Sequence, residues 1–294
     1  MKKLIILLLT ITMIFSLAAC SNDKNDSSST NDNPVFKIGA IPDQNVSKLN
    51  RRFDELAKYI GEKSGLNVEY VPTVDYSALV TAFERGEIDL AWFGGLTGVQ
   101  ARNLVSDSEA IAQRPRDEKF HSVFIVQKDL DINNLEDIKG LTFTFGSESS
   151  TSGHLMPRYF LTEAGVNLEE DLDGKPNYSG SHDKTWKLVE SGAFQTGALN
   201  EAVWEAAVKN DKVDLNKVKV FYTTPDYYDY NWTINDVNNK FGDGTKEKIK
   251  TALLSFGEDN KEIMELFGDT KFIETKNDNY KAIESVAKDL GIIK

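Results

Sequence analysis

The feature that most limits what this chain can fold into is a strict alternation. From Phe36 to Gln113, short β-branched or aromatic runs trade places with amphipathic stretches. Phe36 to Ile41 reads as a strand that stops at Pro42. Leu49, Phe53, Leu56, Ala57 and Ile60 then mark one face of a helix closed by Gly65. Val68 to Val71 is a strand, and Asp75 caps a helix that turns Tyr76, Leu79, Val80 and Phe83 inward. Ile88 to Phe93 is a buried strand ending in Gly94 and Gly95; a short helix, Leu96 to Leu104, and a short strand, Ala110 to Gln113, follow. Alternation of this kind predicts a parallel sheet covered by helices.

The pattern resumes after a crossing. His121 to Gln127 reads as a strand entering a second lobe, followed by a helical turn at Leu135 to Gly140, a strand at Leu141 to Phe145 and a helix from Leu155 to Ala164. Helices at Asp183 to Glu190 and Glu201 to Val208 flank a strand at Thr196 to Leu199. Val218 to Thr223 carries the chain back, Pro225 to Trp232 reads as an aromatic loop, and Gly244 to Phe256 and Tyr280 to Leu290 read as closing helices. The expectation is an α/β protein with lobe 1 at 35–122 plus 225–294 and lobe 2 at 123–224. Two crossings let such lobes hinge around a ligand. Ligands of open α/β sheets sit outside the carboxyl ends of the strands. The loops at Asp43-Gln44, Asp75-Tyr76, Phe93-Gly94-Gly95, Ser149 to Gly153, Ser181-His182 and Asp229-Tyr230 are therefore expected to converge.

The richest of these loops is Ser149 to Gly153, where hydroxyl residues stand between a strand and a helix. The first amides of a helix lack partners inside it and carry partial positive charge. Ser150, Thr151 and Ser152 beside such amides suit a tetrahedral oxyanion. The alternative reading of Ser150 or Ser152 is an ordinary N-cap. Tyr76 is either a donor to the ligand or a core aromatic. Tyr227, Tyr228, Tyr230 and Trp232 either plug the hinge or line the pocket. Asp229 among them would accept a hydrogen bond from a protonated oxyanion and repel a fully ionised one.

Charge narrows the function. The 294 residues carry a net charge of −12, which argues against nucleic acid and against a basic membrane patch. Neutral amides and hydroxyls can still hold a small anion. The three histidines, His121, His154 and His182, fit no metal-ligand spacing, so no metal and no cofactor is expected. There is no Gly-x-Ser-x-Gly elbow and no P-loop. Ser181, His182 and Asp183 are adjacent in sequence, which prevents them from facing one another as a triad. At the N-terminus, Lys2 and Lys3 precede an apolar run from Leu4 to Ala19, and Leu17-Ala18-Ala19-Cys20 resembles a lipoprotein cleavage and lipidation site. Residues 1–19 are expected to be a signal peptide, and 20–34 a lipidated cysteine with a flexible tether. Cys20 is the only cysteine, so no intramolecular disulfide can form.

Asp75-Tyr76, Ala91-Trp92-Phe93-Gly94, Ser150-Thr151-Ser152-Gly153-His154-Leu155-Met156-Pro157 and Ser179-Gly180-Ser181-His182 resemble the phosphate-, phosphite- and phosphonate-binding proteins of ABC importers, over essentially the whole mature chain. Phe93 to Arg102, Ala110 to Gln113 and Tyr228 to Thr233 are also similar to a subgroup labelled selenate-binding. The resemblance implies a two-lobed type II periplasmic-binding fold with two crossover segments. It implies a ligand site of Tyr76, Phe93, Ser150, Thr151, Ser152, His182 and Asp229, with no catalytic residue. Many relatives have tyrosine where Phe93 stands, and the relative that takes an aminoethyl group has an acid where Ala202 stands, next to Glu201. The expected function is capture of a small oxyanion for an ABC permease and its ATPase. The protein would be a monomer, lipid-anchored on the extracytoplasmic face of the membrane. The alternatives are a selenate binder or a sensing subunit for a membrane kinase.

Overall fold

The computed structural model describes residues 34–294. The expected leader over 1–19, the lipidation site Cys20 and the tether as far as 33 lie outside the described residues. Among the described residues the strands sort into two sheets, and no helix is long and apolar enough to cross a membrane.

The first sheet takes β1 (Phe36–Ala40), β2 (Val68–Val71), β3 (Leu90–Phe93) and β4 (Glu109–Gln113), together with the late strands β10 (Asn231–Ile234) and β11 (Ile273–Glu274). Its order is β11-β4-β10-β3-β1-β2. The second takes β5 (Ser122–Gln127), β6 (Phe143–Phe145), β7 (Asn177–Tyr178), β8 (Thr196–Asn200) and β9 (Val218–Thr223), in the order β7-β6-β8-β5-β9. The helices that matter for the site are α1 (Val46–Ser64), α2 (Tyr76–Glu84), α3 (Gly95–Leu104), α4 (Met156–Glu163), α5 (His182–Glu190) and α6 (Glu201–Lys209). Four more, α7 (Asn238–Phe241), α8 (Thr245–Leu254), α9 (Lys261–Phe267) and α10 (Lys281–Asp289), follow β10.

Two expectations change. The first sheet is parallel only across β2, β1 and β3; β10 wedges antiparallel between β3 and β4. The stretch read as an aromatic loop therefore ends in a strand, with all of Asn231–Ile234 buried. A strand covered on both faces buries every residue and shows no alternation to read. Trp232 lies 5.1 Å from Trp92 and edge-on to Phe53 of α1 at 6.0 Å. Burial of a ring of this size contributes about 1.5–3 kcal/mol, so this aromatic stack is a main support of the lobe. The second change is at the Ser-rich loop. Thr151–Leu155 winds with a wider, π-type turn before α4 begins, and Leu155 N donates to Ser150 O at 2.9 Å.

The two crossings run side by side. Phe120 and Tyr227 exchange backbone hydrogen bonds at 2.9 and 3.0 Å, Thr224 N donates to Ser122 O at 3.0 Å, and Asp229 N donates to Asp117 O at 3.1 Å. Arg114 and Asp117, both buried, form a two-pronged pair at 2.8 and 2.6 Å beneath this ribbon. The ribbon joins the lobes and fixes where Asp229 stands.

Candidate oxyanion site

Two helix starts face each other across the lobes. In the first lobe β3 ends at Phe93, whose pairing with Asn231 of β10 aims the next residues outward from the sheet. Gly94 then caps α3 with no side chain of its own. Two α3 amides find acceptors elsewhere: Gly95 N donates to Asp229 Oδ1 and Leu96 N to Thr151 Oγ1, each at 2.9 Å. Glycine eases the close approach. A Cβ on Gly94 would stand 3.1 Å from Thr151 Oγ1 and 3.3 Å from Asp229 Oδ1, and one on Gly95 would stand 3.1 Å from the Tyr228 carbonyl.

In the second lobe Ser150 is the cap, its Oγ accepting from Gly153 N at 2.9 Å. Ser152 presents its carbonyl to Ser122 Oγ at 2.8 Å, and that hydroxyl also meets Tyr227 Oη at 2.7 Å. Ser150, Thr151 and Ser152 are all buried. No lysine or arginine hydrogen-bonds to their side chains among the described residues.

Asp229 closes the ring of groups. Burial drives its pKa up to about 7 and Asp117 adds to the rise, while the Gly95 amide and the hydroxyls of Ser152 and Thr151 pull it down. Tyr76, at the start of α2, is 2% exposed. Burial, then Asp43 and Asp229, hold its phenol well above the ordinary range, and Ser150 lies beside it. Two buried atoms at this corner meet no partner at hydrogen-bonding geometry: Tyr76 Oη, a donor, and Asp229 Oδ2. Groups left in this way are uncommon and call for an explanation.

His182 stands next door. Its Nδ1 accepts from Asn200 N at 3.3 Å, which assigns the proton to Nε2, 3.4 Å from Tyr230 Oη. Burial lowers its pKa to about 4, against the pull of Asp43 and Asp183, so the ring is neutral. Its backbone amide donates to Asp43 O at 3.1 Å, a direct link from the second lobe to the loop after β1. Tyr230 Oη also donates to Asp43 Oδ2 at 2.9 Å and accepts from Asn200 Nδ2 at 2.8 Å.

Of the residues singled out in the sequence, the structure brings Tyr76, Ser150, Thr151, Ser152 and Asp229 to one corner. His182 has both ring nitrogens engaged within the protein. Phe93 is fully buried, edge-on to Phe83 of α2 at 5.5 Å, so its ring belongs to the core, and its backbone pairs within the sheet with Asn231. Sequence reasoning placed Asp43 and Gly95 on converging loops, and Leu96 at a helix start, without giving them a role, and gave no role to Asn200 itself. The bare Gly94-Gly95 pair before a helix was the signal available for the α3 amides.

Residues 38–280 match the family described as "ABC transporter, phosphonate, periplasmic substrate-binding protein". The chain is 42% identical over 291 residues, 96% of its length, to the "Probable ABC transporter phosphite binding protein PhnD1" of Prochlorococcus marinus (strain MIT 9301), and covers 95% of that protein. It is 31% identical over 210 residues to the "Phosphate-import protein PhnD" of Mycolicibacterium smegmatis, covering 67% of this chain and 65% of the other. The solved structure of PhnD1 from Prochlorococcus marinus in complex with methylphosphonate superposes with a TM-score of 0.85 at 43% identity, covering 88% of this chain and 99% of that one. The fold is thus the two-lobed type II periplasmic-binding fold.

Proposed function

This chain belongs to the family of periplasmic phosphonate substrate-binding proteins of ABC transporters, a family of transport proteins and not of enzymes, and we propose that it captures a small phosphorus oxyanion in the corner between its lobes. The observation that carries the reading is a buried pair of atoms, Tyr76 Oη and Asp229 Oδ2, that meet no partner at full hydrogen-bonding geometry, with only the Ser150 hydroxyl near the phenol and those of Thr151 and Ser152 near the carboxylate. A donor and a carboxylate left over together fit a ligand that has both an ionised oxygen and a proton. A singly protonated phosphite, phosphate or methylphosphonate meets that description. Sulfate and selenate, fully ionised near neutral pH, have no proton to offer Asp229.

Binding then works by exchange. The Leu96 and Gly95 amides now donate across the lobes to Thr151 and Asp229. A ligand oxygen takes these amides over, and Thr151 Oγ1, released from the Leu96 amide, donates toward it with the Ser152 hydroxyl, while Ser150 Oγ keeps the Gly153 amide and can turn its own proton to the ligand. Tyr76 donates from the first lobe. Neutral His182 holds Asn200 and Tyr230 in register at the edge of the corner. No bond is made or broken; lobe closure is the mechanism. The same reading gives Cys20 the role of a lipid anchor on the extracytoplasmic side, with a monomeric protein delivering its ligand to a permease and ATPase. Cys20→Ser should abolish metabolic labelling with palmitate.

The test is thermal melting and titration calorimetry with phosphite, methylphosphonate, phosphate, sulfate and selenate. A ligand that binds only the folded state raises the midpoint in proportion to the logarithm of its concentration over Kd. Phosphite or methylphosphonate should raise it and sulfate should not. A larger effect of selenate than of any phosphorus oxyanion would replace this reading with the selenate one, and no response to any of them would overturn both.

A further inference from the structure

Beside the closed corner just described lies a polar pocket with its own unmet groups. A cavity of about 710 Å³ opens between α1, α6 and the residues after α9. Asp43 and Asn200 line it, with Arg52 and Lys48 from α1. Tyr230, bonded to both Asp43 and Asn200, stands between this cavity and the Tyr76–Asp229 corner. The hydrogen-bonded trio acts as a partition.

Arg52 is 3% exposed, and its guanidinium lies over the Phe267 ring at 4.9 Å. Its Nε meets no hydrogen-bond partner, and neither does Oδ1 of the equally buried Asp43. A buried donor on a cation that lacks its acceptor is disfavoured, even with the Asp43 charge nearby, unless something completes it. Both residues line one cavity, yet neither of these buried atoms satisfies the other. One needs an acceptor and the other, a carboxylate oxygen, needs a donor.

We propose that this cavity is a second oxyanion subsite, in which Arg52 donates to, and Asp43 accepts from, a singly protonated phosphate- or phosphonate-type group. Such a group could arrive as a second free ion or as the far end of a bisphosphonate lodged in the first corner. The partition of Tyr230, Asp43 and Asn200 stands across the direct path, which favours the free ion. The choice of probe rests on the function proposed above; the readout does not.

The experiment is calorimetric titration of the purified full chain with phosphite, carried to millimolar concentrations, then repeated with methylenebisphosphonate. The wild type should show a tight phase and a second phase at least tenfold weaker. Arg52→Met, which keeps an apolar stem on Phe267, should lose the weak phase and keep the tight one. Thr151→Ala should weaken the tight phase and keep the weak one. Melting without ligand checks that both variants fold. A weak phosphite phase unchanged by Arg52→Met, or a single-phase phosphite isotherm together with bisphosphonate binding that Arg52→Met leaves unchanged, overturns the subsite. A single bisphosphonate phase weakened by both substitutions would keep the subsite and identify the tethered source. Loss of the tight phase for every oxyanion, with an Arg52-dependent phase remaining, would overturn the function proposed above and leave this subsite standing.

Discussion

The two helix starts that face each other solve the same problem in opposite ways. The turn at Ser150 is self-sufficient: its own hydroxyl takes the Gly153 amide. The start of α3 supplies no acceptor for Gly95 and Leu96, and borrows Asp229 and Thr151 from the crossover and from the other lobe. A cap made within one element stays in place when lobes open. A cap borrowed across lobes is broken by opening and is open to replacement by a ligand. The glycine-built start is therefore the part of the site that responds, and the serine-built start the part that holds still.

The strongest attack on that contrast is Gly94→Val. The backbone at Gly94, φ −78° and ψ 170°, is one that valine adopts without strain. The new side chain points at Thr151 Oγ1 and Asp229 Oδ1 and fills the space where the lobes meet. Binding of phosphite should fall by roughly a thousandfold or more, the sum of several lost charge-assisted hydrogen bonds. Each lobe keeps its own core, so near-UV circular dichroism should still report folded protein. Retained affinity would place the ligand elsewhere. Thr151→Ala comes next. It removes the group that α3 borrows, and affinity should fall by about 10- to 100-fold, the scale of one hydrogen bond to a charged partner. Calorimetry reads both, and equal binding to wild type would make the serine-built start the whole site.

The contrast also explains what could be read from the sequence. Ser150, Thr151 and Ser152 announced themselves because hydroxyls before a helix are a local signal. The lobe-to-lobe alternation was legible for the same reason. Leu96 and Gly95 contribute only backbone amides, and a backbone donor has no residue identity to recognise. Asn200 was hidden because its role depends on Tyr230, 30 positions later. Trp232 misled because a strand buried on both faces loses its period, so its aromatic neighbours looked like a loop. Phe93 was drawn into the site by its neighbours, although its ring serves the core.

Asp229 tests the borrowed cap through pH. Its folded pKa, about 7, lies above that of an unfolded aspartate because burial disfavours the charge. Between about pH 4 and 7 the folded chain therefore holds a proton that the unfolded chain has lost, and stability without ligand must fall as pH rises through that window. The slope is at most about 1.4 kcal/mol per pH unit for this one group. Asp229→Asn should flatten the midpoint-versus-pH curve there and raise it above pH 7, while weakening phosphite several-fold. A curve as steep as the wild type's would assign the titration to another group.

The smallest effect is expected at the self-sufficient start. Ser150→Ala leaves the Gly153 amide without its cap, and loss of an N-cap costs about 0.5–2 kcal/mol of stability. The melting midpoint without ligand should drop by a few degrees. Affinity should change less than for Thr151→Ala, because the α3 amides and their borrowed acceptors are untouched. The pair of measurements separates the two kinds of cap: stability falls at Ser150 with binding nearly kept, and binding falls at Thr151 with stability nearly kept. If Ser150→Ala weakened phosphite as much as Thr151→Ala while leaving the midpoint alone, the division between a holding start and a responding one would be wrong, and both turns would have to be treated as a single donor set.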